Sequence, residues 1–172
     1  DGMSVKENIE FLTVAVETCS FLEQSPDRQP KDFVATLLKI LPLLYLKTML
    51  IDLPERYYEE DPERFVSELD YETVRAGIYS LLGENDGFLN TFDADMQLSE
   101  TAVGASISEL LTDVYQELKD YVLCCQFGNE NVRNDALNVC IKAFSEHWGQ
   151  KLLNALQALH TLFYSGNLES QD

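Results

Sequence analysis

The stretch "LLKILPLLYLKTML", Leu37 to Leu50, constrains the fold more than any other part of the chain. It is almost continuous hydrocarbon with a proline near its centre. A membrane-spanning helix needs about 20 apolar residues with almost no charge. Lys39 and Lys47 lie inside this run, and Asp32 and Asp52 close its ends, so it is not read as a span. On a helical wheel Phe33, Leu37, Leu38, Ile40, Leu41, Leu44, Tyr45 and Met49 cover most of the circumference. Leu43, Leu46 and Leu50 share the remaining sector with Thr36, Lys39 and Lys47. A helix apolar nearly all round is the central one of a bundle, or one shared with a partner. Pro42 lacks the N–H that would reach the Leu38 carbonyl, so a kink or a break is expected there. A kink is favoured, because Leu41 is a poor N-cap for a fresh helix.

The rest of the chain also reads as helix. Ser4 and Glu7 have capping-box spacing, and Val5, Ile9, Leu12, Val16, Cys19 and Leu22 follow as one apolar stripe ending at "EQSPDRQP" (23–30). Residues 52–69 read as a connection and then a short helix with Asp61 as N-cap and Pro62 at its first position. Asp70 caps the next helix, whose Val74, Ile78 and Leu81 stripe stops at Gly83. Residues 83–98 carry two glycines and four acids without a base, and are read as a long acidic loop. A further helix starts near Ser99 and buries Val103, Ile107, Leu110, Val114, Leu118, Tyr121 and Cys125, with Glu109, Asp113, Gln116 and Asp120 as its solvated side. The last helix runs from about Glu130 to Tyr164 on Leu137, Ile141, Phe144, Trp148, Leu152, Ala155, Leu159 and Leu162, with a bend or close helix contact expected at Gly149. No stretch alternates at period two. The expected architecture is an all-α, single-domain bundle of five to seven helices over residues 1–172, around a central, proline-kinked apolar helix. Residues 1–3 are read as a vector-derived or flexible start and 166–172 as a flexible tail.

The formal charge of −18 repels phosphates and acidic lipid surfaces, and the twelve basic residues are scattered. Direct nucleic-acid and membrane binding are therefore disfavoured. Cys19, Cys124, Cys125 and Cys140 lack CxxC spacing and lie in apolar helical stretches, which fits reduced thiols in a cytoplasmic protein. No secretory signal pattern is visible at the start.

Motifs that carry chemistry are weak. "DADMQLSE" (93–100) begins like a calcium loop, but Leu98 and Gly104 stand where glycine and glutamate are required. His147 and His160, the two histidines, are separated by a rotation of about 220° and a rise of about 20 Å on a straight helix, too far to share a metal. His160 reads as a core or boundary histidine, and His147, beside Glu146 and Trp148, as a helix contact. There is no nucleophile elbow, no glycine-rich phosphate loop and no metal-ligand spacing, so no cofactor is called for. "ERYYEED" (55–61) sets two tyrosines among carboxylates, either as half-buried rings over the end of the apolar helix or as a binding surface.

Three segments in order, "LLKILPLLYLKTML" (37–50), "LTDVYQELKDYV" (111–122) and "FSEHWGQKLLNALQALH" (144–160), resemble a bacterial family known as domain of unknown function 5063. The likeness covers roughly residues 8 to 164. It implies a cytoplasmic, all-helical protein without assigned catalytic residues, in which Pro42, Tyr45, Lys47, His147, Trp148, Gly149 and His160 are characteristic positions. The reading favoured by the residues is a non-enzymatic interaction module, monomeric or homodimeric. It would meet a protein partner, possibly basic, through Leu43, Leu46 and Leu50 with Tyr57 and Tyr58 at the edge. Two alternatives stay open. One is a small-molecule or metal-dependent bundle enzyme built on Glu146, His147, Trp148 and His160. The other is an acidic mimic that occupies a nucleic-acid-binding partner.

Overall fold

A computed structural model describes residues 2–91 and 105–169. Among them the chain forms an all-α bundle of α1 (Gly2–Glu23), α2 (Pro30–Met49), α3 (Glu68–Leu82), α4 (Ile107–Phe127), α5 (Glu130–Ala143) and α6 (Gly149–Tyr164). Short 3-10 turns occupy Ser25–Asp27 and Gly83–Thr91, and a π turn, Phe144–Trp148, joins α5 to α6 as one rod.

Helix α1 begins before Ser4, so the Ser4–Glu7 capping box does not form. Its predicted stripe is also displaced. Val5, Ile9 and Val16 are exposed; Cys19 and Leu22 of that stripe are buried, but the core takes Phe11, Ala15 and Thr18 in place of the exposed three. The two stripes lie about 120° apart on the helix. The buried one wins because Phe11 fills space against Tyr121 of α4, the ring centres 5.5 Å apart, and Thr18 satisfies its own hydroxyl by donating to the Val14 carbonyl.

Helix α2 continues unbroken through Pro42, which lies on its exposed side. It buries Phe33, Val34, Leu37, Leu41, Leu44 and Thr48 against α1 and α6. No described helix is long and apolar enough to cross a membrane. The central position that hydropathy assigned to α2 belongs to α4, which packs against α1, α3, α5 and α6. Its burial extends almost all round because polar residues there find partners. Thr112 donates to the Ser108 carbonyl, and Asp86 accepts from the Ser108 amide and hydroxyl at 2.7 and 2.6 Å. The side expected to be solvated is tied down as well. Asp113 accepts from Tyr71 of α3 and from Lys151 of α6, and Asp120 is buried.

The N-cap of α4 is Ser106, whose side chain accepts from the Glu109 amide. The earlier start near Ser99, Val103 and the "DADMQLSE" segment lie outside the described residues. The described part of the expected acidic loop is a 3-10 turn rather than a loop. Helix α3 is capped by Ser67 with Asp70 as its reciprocal partner, so Asp70 is the third helical residue of the box and not the cap. Gly83 closes α3 with φ +57, a backbone conformation that glycine adopts without strain. In the tail, Glu169 pairs with Lys31 at 2.8 Å.

The bend expected at Gly149 is the π turn just before it. A Cβ at position 149 would lie 2.6 Å from the Phe144 carbonyl oxygen and 3.1 Å from its ring, so the turn closes only over glycine. The indole of Trp148 donates to the Cys140 carbonyl at 2.9 Å and meets Phe144 edge-on, centroids 4.6 Å apart.

Candidate interaction surface

The short helix expected at 61–69 is absent. Residues 51–67 instead form an extended strap across the ends of α4 and α5, and a connection without ladder hydrogen bonds must satisfy its backbone elsewhere. Two buried carboxylates do this. Asp135 of α5 accepts the Tyr57 and Tyr58 amides at 2.8 and 2.9 Å and lies 3.4 Å from the Arg56 guanidinium. Asp120 of α4 accepts the Phe65 and Val66 amides at 2.7 and 2.9 Å and pairs with Arg64 at 3.2 Å. Asn138 and Asn134 donate to the Pro54 and Glu55 carbonyls. Asp61 does not cap a helix; it pairs with Arg56 at 3.0 Å.

Burial pushes the Asp135 carboxyl upward, but the two strap amides, with Asn134 and Arg56, outweigh it and hold it below the ordinary 3.8. A carboxyl depressed by folding contributes stability above its unfolded value, and that contribution is lost as pH falls through the folded value. Exchange protection of the Tyr57 and Tyr58 amides should therefore persist down through the ordinary carboxylate range and fall away only below it. Loss of that protection already near pH 5 would show that Asp135 does not hold the strap.

The strap and the end of α2 form one surface. Leu43, Leu46 and Leu50 are 44%, 54% and 45% exposed, joined by Met49 and Leu53. Tyr57 and Tyr58 follow along the strap at 65% and 47% exposed, so they are solvent-facing rings rather than covers for the end of α2. Between the strap's two anchor points lies a groove of about 860 Å³. Its walls include Tyr58, Glu59, Glu60 and Glu63 on the strap side and Phe127 and Val132 on the helix side. Gly128 turns the chain at its floor, where a Cβ would meet the Val132 side chain at 2.6 Å.

The second predicted group does not assemble. Trp148 is buried, while His147 and Glu146 face solvent 3.8 Å apart. His160 is exposed against the Tyr164 ring rather than held in the core or at its boundary. Among the described residues no three His, Cys, Asp or Glu side chains are grouped to hold a metal ion. All four cysteines are free. Burial raises the Cys19 and Cys140 thiols well above their ordinary value and pushes Cys124 up to about 11, so they are poor nucleophiles.

The sequence matches, over residues 4–165, the profile of a family described as domain of unknown function (DUF5063). The chain belongs to this family. A solved structure, protein BF1032 from Bacteroides fragilis, is 41% identical and superposes with a TM-score of 0.82, over 93% of this chain and 94% of that one. No curated protein matches the sequence. The DUF5063 resemblance carried by α2, α4 and the α5–α6 rod is thus confirmed. Of its characteristic positions the structure explains Lys47, which pairs with Glu10 of α1 at 2.7 Å, Tyr45, whose ring meets Phe144, and the Trp148–Gly149 pair at the π turn. Asp135 and Phe127 were not singled out from the sequence, and Asp120 was read as part of a solvated side. The available signal was an acid beside core residues, Leu118 and Tyr121 around Asp120 and Ala136 and Leu137 after Asp135.

Proposed function

We propose that this DUF5063 protein is a non-catalytic interaction module, an adaptor or regulator that binds a protein partner through the end of α2 and the strap. The observation that carries the reading is the outward row Leu43, Leu46, Met49 and Leu50, continued by Leu53 and Tyr57. Large apolar side chains collected in one exposed sector, rather than scattered singly, mark association sites. Asp52, Glu55 and Glu59 flank the row, and the chain as a whole carries −18, so the matching surface is apolar at its centre and basic around it.

Leu46→Glu tests this. Leu46 is already more than half exposed, so the helix should keep its far-UV circular dichroism and melting temperature. A tagged protein used to capture partners from host lysate should lose at least tenfold of whatever the wild type retains stoichiometrically, because burying an unpaired carboxylate in an apolar contact is costly. Undiminished capture by a folded Leu46→Glu protein would remove the surface from consideration. Capture by wild type should also survive moderate salt, which screens exposed charges; capture that collapses with salt would point to charge mimicry instead.

A further inference from the structure

The groove under the strap offers more than an apolar contact. Glu59, Glu60, Asp61 and Glu63 line its strap wall and Asp135 of α5, already bonded to the strap, lies on the helix side; rings stand on both, and no described lysine, arginine or histidine lines it. Glu59, Glu60 and Glu63 are exposed and form no ion pair among the described residues. The nearby cations are otherwise engaged: Arg56 with Asp61 and Asp135, Arg64 with Glu117 and Asp120, and Arg133 with the Gly128 carbonyl. Phe127 is 68% exposed, an unusual position for a phenylalanine, and its ring lies 6.0 Å from that of Phe65. An arrangement of this kind suits a side chain with an apolar stem and a cationic head. The stem of a lysine or arginine covers a ring face, and its charge meets carboxylates or the ring itself.

We propose that this groove is the docking site for an extended lysine- or arginine-bearing segment of the protein partner, a refinement that rests on the interaction-module reading. The occupant follows from charge complementarity. A groove with three unpaired carboxylates and no base opposes an acidic segment, and a purely apolar segment would leave those carboxylates without partners. The length of the strap between its anchors at Asp135 and Asp120 leaves room for several residues of an extended chain. The anchoring keeps that wall ordered before binding, so little ordering entropy is lost on association.

Fluorescence anisotropy with a labelled octalysine peptide at 150 mM NaCl tests the placement, since a chain of charge −18 attracts such a peptide everywhere. Two triple variants with the same net charge separate groove from surface: Glu59→Gln/Glu60→Gln/Glu63→Gln, and Glu17→Gln/Glu84→Gln/Glu146→Gln on exposed positions elsewhere. All six residues are exposed, so both proteins should melt as wild type does. The groove variant should bind about tenfold more weakly and the remote variant less than threefold more weakly, the loss expected for three exposed charge pairs. Phe127→Ser should weaken binding without altering net charge. Equal loss in the two triple variants, or no binding by wild type at this salt, would overturn the groove assignment. The assay uses no natural partner, so its failure is distinct from that of the interaction reading. Partner capture lost on Leu46→Glu but kept in the groove variant would leave the module standing and remove the groove.

Discussion

Replacing Trp148 by alanine should cost about 4 kcal/mol of folding stability, the largest single effect expected in this protein. The ring is 1% exposed and sits where the π turn joins α5 to α6. Three things are lost together. The volume of the indole becomes a cavity, the edge-on contact with Phe144 disappears, and the Cys140 carbonyl loses the indole N–H that it accepts. The π turn adds a residue to the rod, which disturbs the regular pairing of carbonyls with amides four residues on. The Cys140 carbonyl also accepts the Phe144 amide, so the indole adds a second bond there and ties the turn back onto α5. Trp148→Phe separates the contributions: it keeps most of the apolar contact and removes the donor, so a loss of about 1–2 kcal/mol is expected. Because the chain contains one tryptophan, unfolding should be followed by far-UV circular dichroism in urea. A Trp148→Ala midpoint within error of wild type would mean that the turn is held by something else.

The second large effect is expected at Asp135. Asp135→Asn should destabilise the protein by about 3 kcal/mol, because the buried carboxylate accepts two strap amides and faces a guanidinium. An asparagine can present one oxygen to one amide, but its nitrogen then meets the other amide donor to donor. Arg56 also loses its buried counter-charge. The consequence is local before it is global. Tyr57 and Tyr58 should lose exchange protection, and the strap should become cleavable between residues 57 and 63, while α4 and α6 stay protected. Uniform loss of protection across all helices, with no preference for the strap, would show that Asp135 supports the bundle and not the strap. The comparison also bears on function, because the strap forms one wall of the groove and carries Tyr57 and Tyr58. A protein with its strap released should bind octalysine poorly even though every groove glutamate is present.

Some of this molecule was determined by sequence alone. The all-α class, the Gly83 stop, the α4 stripe from Ile107 to Tyr121, the core stripe through α6 and the backbone irregularity near Gly149 all follow from local periodicity and from what glycine permits. The charged residues inside the apolar run correctly argued against a membrane span. The sector that Leu43, Leu46 and Leu50 share with Lys39 and Lys47 was legible, but their exposure was not, because a helix apolar nearly all round is equally suited to the centre of a bundle.

Tertiary structure decided the rest. Helix α1 carries two apolar stripes, and periodicity cannot choose between them; the choice was made by the fit of Phe11 against Tyr121. Hydropathy ranked α2 above α4 for the centre of the bundle. It counts Ser108, Thr112 and Asp120 as solvent-seeking, whereas each becomes tolerable in the interior once a partner satisfies it. Thr112 finds its partner one turn back at Ser108, but the partners of the carboxylates are remote along the chain: Asp120 reaches Phe65 across 55 positions and Asp135 reaches Tyr57 across 78. The same two contacts converted the helix expected at 61–69 into an extended strap. The Asp61–Pro62 start is a modest local preference, and four amides bonded to buried carboxylates outweigh it. Apolar residues announce their burial by their spacing, but a buried polar residue is defined by its partner, and only the folded chain brings the partner to it.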